Sequence, residues 1–318
     1  MNVNNNNINR VAVVDWGIPL FLAKVAPTAD LRFDTPMRVI TMLAIFSLVF
    51  PLLAGAGINT QGGLIEMEMV SEVRSVQPGK PFSVGLKIWH APGWHTYWRQ
   101  PGIVGVPTSL DWTLPEGFEA SEIRWPAPER TKMASLTAWG YEREVLLMVE
   151  ITPPKTLEPD AELHFLAKGS WMACATTCHP GFGEFKLSLP VNSSEQPDWN
   201  PETRDRFEQT RAEFPRELEG WSASVAEGKD NEILLKFTNS GGEPLPETAE
   251  IYFYCFDEQV HSDMPQPTTR NPDGSLTIRL KKPGFAPKNP KELTGIIYNS
   301  GGWDSKPGGQ FARVAASW

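Results

Sequence analysis

The stretch AELHFLAKGSWMACATTCHPGFGEFKLSLPV, residues 161–191, carries two runs of alternating apolar and polar side chains on either side of a Cys-x3-Cys pair. Alternation with a period of two sends successive side chains to opposite faces, so both runs read as half-buried strands rather than helix. Between them stand Cys174 and Cys178, with His179 and Pro180 directly behind the second thiol. A disulfide fits this offset if the backbone curls into a turn between the cysteines, which Thr176 and Thr177 allow. The loop closed by such a bridge is so short that it removes little entropy from the unfolded chain, so a purely structural staple would gain little. A short-range pair makes better sense as a redox couple, with His179 placed to favour the thiolate, the form that attacks a disulfide. Spacing alone leaves a metal site and an inert staple open.

Working outward, the same texture recurs in LIEMEMVSEVRSV, FSVGLKIWHA, TSLDWTLP and EREVLLMVEITPP, each bounded by Gly, Pro or Asp/Asn turn signals. These runs predict an antiparallel sandwich over 62–192. The polar stretch NSSEQPDWNPETRDRFEQTRAEFPREL then breaks the pattern, and the spacing of Phe207, Thr210 and Phe214 predicts a linker, 193–219, with one short helix. WSASVAEG, EILLKFTN, AEIYFYCFD, GSLTIRLKK and TGIIYNSG restart the strands, predicting a second, smaller β domain over 220–318. The expected fold is all-β, with two immunoglobulin-like sandwiches joined by that linker. The 29 Pro and 26 Gly among 318 residues agree with many short strands and argue against a helical bundle.

Upstream, Arg38, an uncharged apolar run from Val39 to Leu53 and the small residues Ala54, Gly55 and Ala56 have the layout of a secretory signal peptide, 37–56. Residues 1–36 fit neither a basic leader nor a domain and read as an extension of the gene model ahead of a start at Met37. The rival reading, a retained membrane anchor, has a rather short apolar run to work with. Export implies a periplasmic, oxidising compartment. The net charge of −9, without a basic patch, excludes nucleic acid as a partner.

Other residues read as structure. Cys255 sits between aromatics in mid-strand, where a lone cysteine is a small buried hydrophobe. His90 and His95 flank a turn and would make a thin copper or zinc site without a third ligand. Trp89, Trp94, Tyr97 and Trp98 read as packing between sheets rather than a sugar platform. No Ser/His/Asp set, phosphate loop or carboxylate pair stands out, and no cofactor beyond the Cys174–Cys178 disulfide is expected.

The runs KIWHAPGWHTYWRQPGIVGVPTSLDW, IRWPAPERTKM, AWGYEREVLLMVEI and SWMACATTCHPG, in that order, resemble the amino-terminal periplasmic domain of the DsbD family of thiol:disulfide interchange proteins. They are most similar to its ScsB-like branch, and AEIYFYCFDEQVHSDMPQ resembles that branch's second β domain. The resemblance implies a thiol-disulfide oxidoreductase, in a family tied to cytochrome c biogenesis and copper tolerance. Its cysteines would take electrons from a membrane-embedded DsbD/ScsB-type donor and pass them to thioredoxin-like or other oxidised periplasmic clients. By carry-over, Cys178 would form the mixed disulfide with the client and Cys174 would resolve it. The segment ERTKMASLTAWGYE, 129–142, stands where the family's cap loop falls, and Trp139 and Tyr141 are the candidates to lie over the sulfurs. Full-length relatives continue into a membrane domain and a thioredoxin-like domain, so the expectation is that a separately encoded membrane protein supplies the electrons, that the gene is split or truncated, or that the domain serves binding alone. Two alternatives stay open: an exported adaptor with an inert disulfide, and a copper-handling protein using the thiols with His179 or Met172.

Overall fold

The computed structural model describes residues 58–60, 65–194, 196–217, 220–240, 249–303 and 309–318; the expected extension and signal peptide lie outside them. The chain first runs through β1 (Ile58–Thr60), β2 (Ile65–Ser71), β3 (Phe82–His90), β4 (His95–Gly102), β5 (Ser109–Thr113) and β6 (Glu119–Ala120). It continues through β7 (Glu129–Met133), β8 (Leu136–Glu142), β9 (Glu144–Thr152), β10 (Glu162–Cys174) and β11 (Cys178–Pro190). These strands form two sheets, ordered β1-β2-β3-β9-β6 and β11-β10-β4-β8-β7, with β5 added on β10. Met67, Met69, Leu86, Ile88, Leu147 and Phe165 are essentially without exposure in the core. Each such side chain contributes about 1.5–3 kcal/mol by leaving water.

The predicted helix is present as α1 (Arg204–Glu213). It is not a free linker. Phe207 is fully buried and packs with Val70, Leu146 and Met148 on the outer side of the first sheet. Arg211 grips the buried Glu72 with two bonds, at 2.6 Å and 2.5 Å. A buried carboxylate needs such a partner, because an uncompensated charge there costs several kcal/mol.

The second half contains β12 (Arg216–Glu217), β13 (Trp221–Glu227), β14 (Glu232–Asn239), β15 (Ile251–Cys255) and β16 (Thr268–Arg270). It ends with β17 (Leu276–Lys281), β18 (Glu292–Asn299) and β19 (Phe311–Ser317). Its sheets are ordered β12-β19-β18-β15 and β13-β14-β17-β16. Every predicted strand of this half is found: β14 and β17 alternate between the core and the surface, and β15 is buried at every position. Cys255 is a buried free thiol, and burial pushes its pKa well up, as a core role requires.

The β7–β8 hairpin joins the two halves. Trp139 Nε1 donates to the Tyr252 hydroxyl at 3.1 Å, Thr137 N–H donates to Asp263 at 2.8 Å, and the Ser262 hydroxyl donates to the Thr137 carbonyl at 2.7 Å. Trp98 and Trp139 meet each other and Tyr254 edge to face. The two sandwiches therefore share one apolar core across this seam.

Candidate functional site: a disulfide at a hairpin tip

Strands β10 and β11 pair without a slip from Glu162↔Pro190 to Cys174↔Cys178, so the cysteines are the last register pair before the turn. They form a disulfide, with Cα atoms 4.2 Å apart. Strand β11 begins six residues before the run EFKLSLPV, at Cys178 itself; the Pro180–Gly183 stretch masks this by supplying no apolar alternation.

The two sulfurs differ in access. Cys174 is fully buried, whereas Cys178 is exposed. Cys174 has β4 on its other side, where its register partner is His95. Tyr97 and Ala138 complete the apolar floor around Cys174, with Val104, Met133 and Met172 packed against it. The Tyr97 hydroxyl points at Cys178 Sγ from 3.9 Å. A disulfide sulfur carries no proton, so the phenol is the donor. Burial pushes the Tyr97 pKa up to about 12, which keeps that proton in place.

The segment 129–142 meets the cysteine turn, through residues other than the two rings chosen from the sequence. Ala134, at the hairpin turn with φ 53°, donates its N–H to the Ala175 carbonyl at 3.1 Å. Ala138 packs on Cys174. Trp139 and Tyr141 are a correction: strand alternation sends them to the opposite face, into the main core. There Trp139 binds Tyr252, and the Tyr141 hydroxyl donates to the Pro126 carbonyl at 2.7 Å. Alternation also separates His179 from the adjacent Cys178. Its ring leans on Trp94, with centroids 5.3 Å apart, and its Nε2 lies 3.1 Å from the Thr177 hydroxyl.

Sequence reading passed over His95 as half of a thin metal pair. His90 spends both nitrogens, on the Arg143 carbonyl at 2.8 Å and the Thr96 hydroxyl at 2.9 Å. His95 is 1% exposed, and among the described residues its Nε2 has no hydrogen-bond partner. Burial holds both imidazoles down near pKa 4, and so neutral at ordinary pH. The alternation His95, Tyr97 in GWHTYW was the signal available: both residues share a face, and that face carries Cys174. Among the described residues, no three of His, Cys, Asp and Glu gather in a way that would hold a metal.

Residues 64–190 match the family model described as thiol:disulfide interchange protein DsbD, N-terminal. No curated protein matches the chain. The N-terminal periplasmic domain of ScsB from Proteus mirabilis is 18% identical, with a TM-score of 0.58, over 83% of this chain and 97% of that one. At that identity the likeness shows the fold, and it extends across both sandwiches. A conserved domain protein from Bacillus anthracis, 11% identical, matches 81% of this chain and 87% of its own with a TM-score of 0.25, too low to carry an argument.

Proposed function

We propose, taking residues 64–190 as a DsbD-type N-terminal domain, that this protein is a periplasmic thiol–disulfide exchange module that reduces client disulfides through Cys174 and Cys178. The observation that carries the reading is the asymmetry of the pair, one sulfur exposed at a hairpin tip and the other buried behind it. An inert staple needs no such difference, while exchange requires one sulfur that a client can reach and one that resolves the adduct.

In the reduced state the Cys178 thiolate attacks one sulfur of a client disulfide. A Cys178–client bond forms, and the other client sulfur leaves with the electron pair and takes up a proton. Cys174 then attacks Cys178 Sγ, remaking the Cys174–Cys178 disulfide and releasing the second client thiol. The client gains two electrons and two protons, and the pair is oxidised. A membrane-embedded reductase of DsbD/ScsB type would restore the dithiol. The Tyr97 hydroxyl, already aimed at Cys178, favours the thiolate by hydrogen bonding to the charged form.

The test is the reduction potential of the pair, by equilibration with glutathione buffers and alkylation read by mass. A value between about −270 and about −120 mV supports exchange, whereas a value below about −300 mV marks a structural bridge and leaves an exported adaptor as the reading.

A further inference from the structure

A buried polar atom without a hydrogen-bond partner calls for a physical explanation, because leaving it unpaired costs about 1–3 kcal/mol. His95 Nε2 is such an atom. Its strand places it directly across from Cys174, and cross-strand partners present their side chains on the same face with Cβ atoms about 4.5–5.5 Å apart. In the disulfide form neither cysteine has a proton to donate. Reduction creates an S–H on Cys174 and so creates the partner that the imidazole lacks.

We propose that His95 accepts the proton of the Cys174 thiol when Cys174 resolves the mixed disulfide. This rests on the exchange reading and assigns a residue to its second step. With Nδ1 carrying the ring proton, Nε2 takes the proton from Cys174 Sγ, and the resulting thiolate attacks Cys178 Sγ. The Cys178–client bond breaks, its electron pair leaves on the client sulfur, and the proton passes from the imidazolium to that sulfur or to solvent.

The titratable groups facing His95 come from β8, β3 and its own strand. Glu142 is its register partner on the opposite side, from β8, and is partly exposed. Burial and Glu129 raise the pKa of its carboxyl, while burial alone accounts for the shift of His95. His90, at the end of β3, is neutral, and Tyr97, from the same strand as His95, stays protonated and stacks edge to face on the imidazole at 5.0 Å. Burial keeps His95 neutral down to about pH 4, so its Nε2 lone pair stays open across the neutral range.

The experiment mixes the reduced full chain with dithiobis(nitrobenzoate) and follows the coloured thiol in a stopped-flow instrument. The first equivalent reports attack by Cys178 and the second reports resolution by Cys174; buried Cys255 adds no fast phase. With an internal acceptor, the second phase of the unmodified protein stays flat between about pH 5.5 and pH 7.5, whereas an unassisted buried thiol would give a rate rising roughly tenfold per pH unit. His95→Gln and His95→Phe should leave the first phase within about twofold and slow the second at least about tenfold near pH 6, restoring the steep profile. The same variants should shift the glutathione equilibrium about threefold or more toward the disulfide, because the lost contact exists only in the dithiol. A steep second phase in the unmodified protein overturns the proposal even if no variant folds, as do variants with unchanged second phases. Absence of a fast first phase would instead overturn the exchange reading beneath it.

Discussion

The Tyr97 hydroxyl stands 3.9 Å from Cys178 Sγ, on the floor of a cluster that also buries Cys174. Because burial keeps the phenol protonated, it is a fixed donor to whatever charge Cys178 develops. A hydrogen bond to a charged group is worth about 1.5–3 kcal/mol. Tyr97→Phe should therefore raise the Cys178 thiol pKa by at least about one unit and slow alkylation by iodoacetamide several-fold at pH 6 to 7. Measured by the pH dependence of alkylation, an unshifted pKa would show that the hydroxyl only fills space.

The unequal access of the two sulfurs makes the cysteine variants unequal. Cys174→Ser leaves the exposed Cys178 without its resolving thiol, so incubation with oxidised glutathione should accumulate a long-lived adduct visible by mass. Cys178→Ser leaves a fully buried thiol, which should gain glutathione far more slowly. Equal labelling of the two variants would contradict the order of attack proposed above.

How much of this site was legible in the sequence follows from the periodicity of its strands. The β10 and β14 runs alternate cleanly and were readable, as was Phe207 on its helix. Strands β4 and β8 were hidden because both of their faces are buried: Thr96, Tyr97 and Trp98 lie inside in succession, as do Ala138, Trp139, Gly140 and Tyr141. With no polar face, alternation puts His95 and Tyr97 on one side but does not tell which side meets the sulfurs. That is why the large rings of Trp139 and Tyr141 drew attention while small Ala138 holds the place. The joining of the sandwiches was equally invisible, since it depends on Tyr252, Ser262 and Asp263, more than a hundred residues along the chain from the hairpin they hold.

Gly140 shows how tightly that hairpin is fixed. A Cβ added there would lie 2.2 Å from the Thr96 carbonyl oxygen, a backbone atom that cannot swing aside. Gly140→Ala should push β8 away from β4, costing about 2–4 kcal/mol in urea denaturation, and should loosen the contact of Ala138 with Cys174. Alkylation of the reduced Cys174 should then accelerate. Wild-type stability in this variant would mean that the sheet relaxes around the added methyl group.

Stability should also fall in acid through the buried histidines. His90 and His95 titrate near 4 in the fold against 6.5 when free, both chiefly because burial opposes the charged form. Between those values the unfolded chain binds more protons than the native one, so the stabilisation is complete above about pH 6.5 and is lost as pH falls toward about 4. Urea midpoints of the oxidised protein should decline over that window. His95→Phe, which cannot take up a proton in either state, should flatten the decline while leaving the His90 share in place. A midpoint curve of the same steepness in the variant would mean that His95 is already protonated in the fold, and a cationic imidazole has no room for the Cys174 proton.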